Sequence, residues 1–221
     1  MRGMAKQFNH DDLEFARAVT FFDAIFAFAV TLLITTVDDF SPEAWSSWQA
    51  LKDSNGPSLL AFAISFLVVV SFWRANHQTV TAFNALDSQL ITLNCMVMFG
   101  IVLIPFATEA MGKLNDLPLP TALYAVVIAL THVMKSIVVF VADFRGMNGH
   151  KLTPSEVRWE LVESAALPVV FLGSIPIAYL VSPGSAQLSW ISLAVVMPVL
   201  GTLHKKSMDK ERARLSIAGG A

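Results

Sequence analysis

Apolar residues fall in six long blocks along the chain, at about 15–37, 57–79, 88–110, 120–142, 157–181 and 186–204. A hydrocarbon core about 30 Å thick is crossed by roughly 20 residues of apolar helix, and each block meets that length. The polar breaks between them carry turn chemistry: Asp38-Asp39-Phe40-Ser41-Pro42, Asp53-Ser54-Asn55-Gly56-Pro57, Asp116-Leu117-Pro118, Arg145-Gly146-Met147-Asn148-Gly149 and Ser182-Pro183-Gly184. Each break predicts a helix end. Pro105, Pro168, Pro176 and Pro198 lie inside the blocks and predict bends, which membrane helices tolerate because neighbours re-satisfy the freed carbonyls. The pattern predicts an all-α membrane protein of six transmembrane helices, surrounded by membrane lipid.

Composition agrees with the pattern. Hydrophobic residues make up 55% of the 221 and charged residues 14%, against roughly 25% charged in a soluble domain. The formal net charge is −2, and no basic stripe runs along the chain to follow a phosphate backbone, so nucleic acid is not an expected partner. Cys95 is the single cysteine and lies within an apolar run, which leaves neither an intrachain disulfide nor a zinc site and reads as a small buried hydrophobe. The polar opening and the lack of a small-residue cleavage site after it argue against a removable signal peptide.

Orientation follows from the lysines and arginines, which concentrate in cytoplasmic segments near spans. With the N-terminus inside, twelve are cytosolic (Arg2, Lys6, Arg17, Arg74, Arg145, Lys151, Arg158, Lys205, Lys206, Lys210, Arg212, Arg214) and only Lys52 and Lys113 are outside, with Lys135 inside the fourth span. Both termini are therefore expected in the cytosol, with a cytosolic segment at 1–14, the membrane domain at 15–206 and a cytosolic tail at 207–221.

Ionisable residues inside a span are costly and mark packing or function. In the first span, Asp23 lies about 9 Å deeper than Arg17 and roughly 240° around the helix, so the two cannot pair directly. Trp73 and His77 share a face of the second span with Asn76 beside them, and Asn94 lies in the third. A dry cluster of Asp23, His77, Asn94 and the Trp73 indole N–H is expected to lock three helices in register. His77 reads either as a hydrogen-bonded core histidine or as a proton sensor, and Asp23 as a structural group or an ion ligand. Phe28, Leu32 and Thr35 form a stripe on another face, which by composition alone is ordinary lipid-facing or packing surface. Asp38 and Asp39 beyond it could concentrate cations or simply end a helix in water. Lys135, with His132 three residues before it, is read as snorkelling or paired, with a transport role as the alternative.

The run Arg17-Ala-Val-Thr-Phe21-Phe22-Asp23 resembles the Arg-x-x-x-Phe-Ser-Asp signature that opens the first helix of the transmembrane protein 175 family. Phe72-Trp73-Arg74-Ala75-Asn76-His77 is similar to its second-span segment, and Leu93-Asn94 with Leu103-Ile104-Pro105-Phe106-Ala107-Thr108 to its third. Order and spacing agree over 14–110, while the last three spans agree only in hydropathy. The resemblance implies a potassium-favouring cation channel in the plasma membrane, without the Thr-Val-Gly-Tyr-Gly filter, a string this sequence lacks. For a single six-helix repeat it implies a homotetramer with the four first helices lining a central pore. Carried over from the aspartate, Phe28 and Leu32 become the constriction and gate, and Thr35 the selectivity position. Arg17, Phe21, Asp23, Trp73, His77 and Asn94 become the signature network. No cofactor is implied beyond the permeant potassium ion.

Two positions depart from the family: Phe22 replaces the signature serine and its hydroxyl, and Phe28 stands where Ile or Leu is common at the innermost constriction. A secondary transporter, with Asp23, Lys135 and Glu163 as coupling groups, is the alternative, although the chain has no Gly-broken helix pair. Enzymatic chemistry is not expected, since neither HExxH nor a Ser/His nucleophile pair at matching depth is present.

Overall fold

A computed structural model describes residues 7–149 and 151–218, with side chains as far as Asp209. Arg2 and Lys6 of the basic set lie outside the described residues, as do the side chains of Lys210, Arg212 and Arg214. The elements in order are β1 (Gln7–Asn9), α1 (Leu13–Leu33) with a 3-10 turn (Ile34–Thr36), α2 (Trp48–Thr81), β2 (Ala85–Asp87), α3 (Ser88–Lys113), α4 (Pro118–Phe144), α5 (Pro154–Leu180), α6 (Pro183–Ser189), a second 3-10 turn (Trp190–Ser192) and α7 (Leu193–Ala218). Among the described residues six spans are long and apolar enough to cross a membrane, the sixth being assembled from α6, the turn and α7 as far as Asp209. The chain is a multi-pass membrane protein.

Local chemistry explains where the helices start. The side chains of Ser47, Asp87, Thr153 and Ser182 each accept a hydrogen bond from a backbone N–H in the first turn of α2, α3, α5 and α6, satisfying donors that have no intrahelical partner. At α5 the cap is reciprocal, because Glu156 accepts from the Thr153 N–H at 2.8 Å. Pro118, Pro154 and Pro183 open α4, α5 and α6, where a missing N–H costs nothing.

Three features depart from the sequence reading. The cluster Asp53-Ser54-Asn55-Gly56-Pro57 does not end a helix, because α2 runs through it from Trp48. Asp39 is the reason: its carboxylate accepts from the Ser54 hydroxyl, and its carbonyl accepts from Asn55 Nδ2 at 3.1 Å and Trp45 Nε1 at 3.0 Å. Those polar groups are thus consumed by the preceding loop and impose no turn. The sixth block is interrupted at Trp190–Ser192, where Trp190 turns inward and donates to Ser174 Oγ at 2.9 Å. Its helix then continues to Ala218, past the position expected to begin a tail. The third departure is a two-stranded antiparallel ladder, β1 with β2, pairing Gln7 with Asp87, Phe8 with Leu86 and Asn9 with Ala85.

The core lies between the helices, with α3 at its centre. Leu90, Val97, Ile101 and Ile104 of α3 are fully buried, against Phe22, Phe26 and Leu33 of α1, Val69 and Phe72 of α2, and Tyr124 and Ile128 of α4. Within it, Thr108 donates to Ser65 at 2.7 Å and Ser65 bonds Tyr124 at 3.1 Å, joining α3, α2 and α4 through buried hydroxyls.

The ladder belongs to a larger clasp at the end of the bundle where α1 begins. The N–H of Asn84 reaches the carbonyl of Met147 at 2.8 Å, and that of Gly149 reaches Ala82 at 3.0 Å, so the α4–α5 loop joins the α2–α3 loop. Arg145 lies 2.6 Å from the buried Asp87 carboxylate and also bonds Gln89.

Candidate functional site

α1 has two faces. Phe15, Phe22, Phe26, Ala29 and Leu33 are buried in the core, so the phenyl ring in place of the signature hydroxyl at position 22 serves as packing. On the other side, Phe28 is 70% exposed and Leu32 50%. Thr35 is also exposed, on the 3-10 turn that tightens the end of α1. Its hydroxyl donates to the Leu32 carbonyl at 2.7 Å, and Thr31 does the same to Phe28 at 2.9 Å. With their protons so occupied, these hydroxyl oxygens present only lone pairs outward. The expected stripe is therefore one continuous surface of the subunit, with rings and isobutyl groups below and acceptor oxygens at the far end.

The signature residues are brought together in part. Trp73 Nε1 donates to Asp23 Oδ1 at 3.0 Å, His77 Nδ1 lies 4.0 Å from Asp23 Oδ2, and the Trp73 and His77 rings are 5.8 Å apart. This ties α1 to α2. Asn94 does not join them: its Nδ2 donates to the Leu90 carbonyl one turn back at 3.0 Å, an intrahelical bond that a buried amide finds without a partner helix. The cluster is not dry within one subunit, since the Asp23 and His77 side chains are 38% and 47% exposed. Arg17 and Phe21 are also exposed, but on the face of α1 that carries Phe28 and Leu32. An open groove of about 340 Å³ runs between α1 and α2, lined by Phe26, Ala27, Val30, Val70 and Trp73 and ending at Asp23.

At the far end of α1 the acidic pair is engaged. Lys113 Nζ is 2.7 Å from Asp38 and 2.8 Å from Glu109. Asp39, in the loop, is held below the usual carboxylate pKa by its bonds from the Ser54 hydroxyl and from Ser41.

A second polar group, between α4, α5 and α7, holds two of the other ionisable residues of the sequence reading. Lys135 and Glu160 lie within electrostatic reach of each other, and Glu160 also senses Glu163 and His204. Glu163 Oε1 is 2.8 Å from His204 Nδ1, and Trp159 stacks on the His204 ring at 5.5 Å and 8°. Sequence reading singled out Lys135 and Glu163 but not Trp159, Glu160 or His204. The signal available was the pair of glutamates three residues apart on one face of an apolar span.

Residues 17–105, covering nearly all of α1 through most of α3, match the family model of the endosomal/lysosomal potassium channel TMEM175. A potassium channel of Streptomyces collinus (strain DSM 40733 / Tue 365) is 33% identical over 103 residues, 45% of this chain and 48% of that one. A potassium channel of Chryseobacterium sp. (strain P1-3) is 24% identical over 110 residues, 50% of this chain and 55% of that one. The chain thus spans about half the length of the curated relatives it matches. The segment that carries the exposed stripe and the Asp23–Trp73 bond is the part of the chain that is similar to the TMEM175 family.

Proposed function

We propose that the chain is one subunit of a homotetrameric potassium channel in the plasma membrane, both termini cytosolic, with four copies of α1 around the pore. One observation carries the reading. Asp23 and His77 stand half-exposed on membrane-spanning helices, and Phe28, Leu32 and Thr35 form a separate exposed stripe on α1. Acyl chains offer the two ionisable groups no partner, whereas a water-filled axis and neighbouring copies do. The curated relatives matched over this segment carry the name potassium channel.

In this reading Phe28 and Leu32 form narrow apolar rings that exclude ions by dewetting, because they give water no hydrogen-bond partner. Thr35, whose hydroxyl proton is tied to the Leu32 carbonyl, supplies a ring of oxygens to a partly dehydrated cation. Opening requires the α1 helices to tilt or rotate. Single-channel and reversal-potential recordings in planar bilayers test the assignment. Leu32→Ala is expected to raise closed-state leak by about an order of magnitude, and Thr35→Ala to move the reversal potential toward that of a non-selective cation pore. Unchanged leak and selectivity in both variants would remove the stripe from the pore.

The alternative is a secondary transporter using Asp23, Lys135 and Glu163. What favours it is the Lys135/Glu160/Glu163/His204 group, ionisable residues gathered at membrane depth away from α1. Unitary current steps too large for a carrier cycle exclude it.

A further inference from the structure

The group between α4, α5 and α7 lies entirely in the half of the chain beyond residue 105, where the family match ends. The pore reading leaves it without a role. α7 belongs to the least buried of the six spans found among the described residues, with 11% of its apolar window buried, against 44% for α3. Between helices in lipid there is no hydrophobic drive to associate, so packing and polar contacts determine whether α7 stays on α5. Glu163 makes such a polar contact from α5 to His204 on α7, at 2.8 Å.

We infer that Glu163 and His204, backed by Trp159, Glu160 and Lys135, form a proton-binding site that fastens α7 to α5 more tightly when a proton is taken up. A neutral His204 donates one hydrogen bond from Nδ1 to the Glu163 carboxylate. Once Nε2 is also protonated, the donor carries a charge as well and the contact becomes an ion pair. The imidazolium then also lies flat on the Trp159 indole, the favoured partner for a cation.

Charged groups of both signs face the site. α5 contributes the carboxylates of Glu160 and Glu163, while α4 contributes Lys135, which Glu160 offsets, with His132 one turn away against Phe72. Lys205 and Lys206, next on α7 itself, are exposed, as is Arg158 on α5. Protons have access, because the Glu163 and His204 side chains are 29% and 27% exposed, where the apolar run of α7 gives way to lysine. The inference does not depend on which helix lines a pore.

The stacked indole reports on the site, because a protonated imidazole quenches the fluorescence of a tryptophan it touches. The test uses the full chain in nanodiscs of zwitterionic lipid, with emission recorded from pH 8 to pH 5 for the parent and for Trp159→Phe, whose difference isolates Trp159. We expect that difference to fall by about twofold or more on acidification, to stay flat in His204→Gln, and to keep less than about half its amplitude in Glu163→Gln. His77→Gln is the control for the Trp73–His77 contact and is expected to leave the Trp159 signal unchanged.

A spin label at Lys206→Cys in a Cys95→Ala background reads docking directly. It should lose mobility on acidification in the parent and be immobile at both pH values in His204→Lys, whose charge is permanent. A Trp159 signal without pH dependence, or one that persists in His204→Gln, overturns the inference. So does label mobility that ignores pH in the parent, a measurement that stands even if His204→Gln fails to fold.

Discussion

Asp23 meets Trp73 where a membrane helix would otherwise leave a carboxylate half-exposed, and the single bond between them holds α1 to α2 at that level. Trp73→Phe keeps the ring and removes the N–H. Interhelical hydrogen bonds in membranes average about 0.6 kcal/mol and reach about 1.7, and a charged acceptor puts this one toward the upper end. Trp73→Phe is expected to lower stability by about 1 kcal/mol in a reversible unfolding titration in mixed micelles, with Asp23→Asn in the Trp73→Phe background adding little. Asp39 gives a pH signature at the opposite end of α1. Its carboxyl is held below the ordinary value of 3.8 by Ser54 and Ser41. The stabilisation is therefore fully present above 3.8 and is lost as pH falls through the lowered folded-state value. The difference in melting temperature between the parent and Asp39→Asn should be constant from pH 7 to pH 5 and shrink below pH 4. Asn94 shows the limit of reading single residues. Its depth and helix were legible, but the choice between a partner helix and its own Leu90 carbonyl depends on orientation, which hydropathy does not encode.

At the scale of elements, the six spans were legible because each needs a long apolar run, and lipid leaves little alternative to helix for such a run. Their ends were less legible wherever a polar cluster had two uses. Ser54 and Asn55 look like a turn, yet they bond Asp39 across the loop and α2 begins early at Ser47. Trp190 looks like part of a continuous apolar block, yet its indole N–H needs Ser174, and the helix tightens there. How closely the helices approach was also hidden. A methyl group at Gly100 would come within 2.1 Å of Thr131 Oγ1, and one at Gly112 within 2.9 Å of the Ser58 Cα. Both Gly→Ala changes are expected to destabilise by about 1–3 kcal/mol through overpacking. They should differ in rescue: Thr131→Ala removes the nearest atom facing position 100 and recovers part of the loss, whereas Ser58→Ala leaves the backbone atom facing position 112 in place. Unfolding titrations of the four single variants and the two doubles would show it, and equal recovery at both sites would contradict the geometry.

For the molecule as a whole, the polar clasp of β1, β2 and the α4–α5 loop was not legible from sequence, since three-residue strands carry almost no periodicity and their pairing is set by distant loops. It is nonetheless how the start of α1 is attached to the rest of the bundle. Asp87 is fully buried there beside Arg145 and also caps α3 through the Leu90 N–H at 2.9 Å. Removing one member of a buried pair strands the other, a loss of about 3–5 kcal/mol. Arg145→Ala is expected to approach the lower end of that range, since Arg145 keeps 26% of its side chain in solvent. Asp87→Asn is expected to cost less, because the amide oxygen still caps α3. Thermal unfolding of the two variants would rank them, and the opposite order would place the clasp's strength in the cap.

The order of synthesis gives that clasp a further consequence. β1 is made first, but β2 is made only after two spans, and the Met147 carbonyl that holds Asn84 only after two more. The leading strand therefore has nothing to dock on while the early helices enter the bilayer. The clasp at the base of the first helix is completed only when most of the subunit already exists, so a nascent chain cut short before the fourth helix is completed would lack the Met147 carbonyl that holds the loop behind β2.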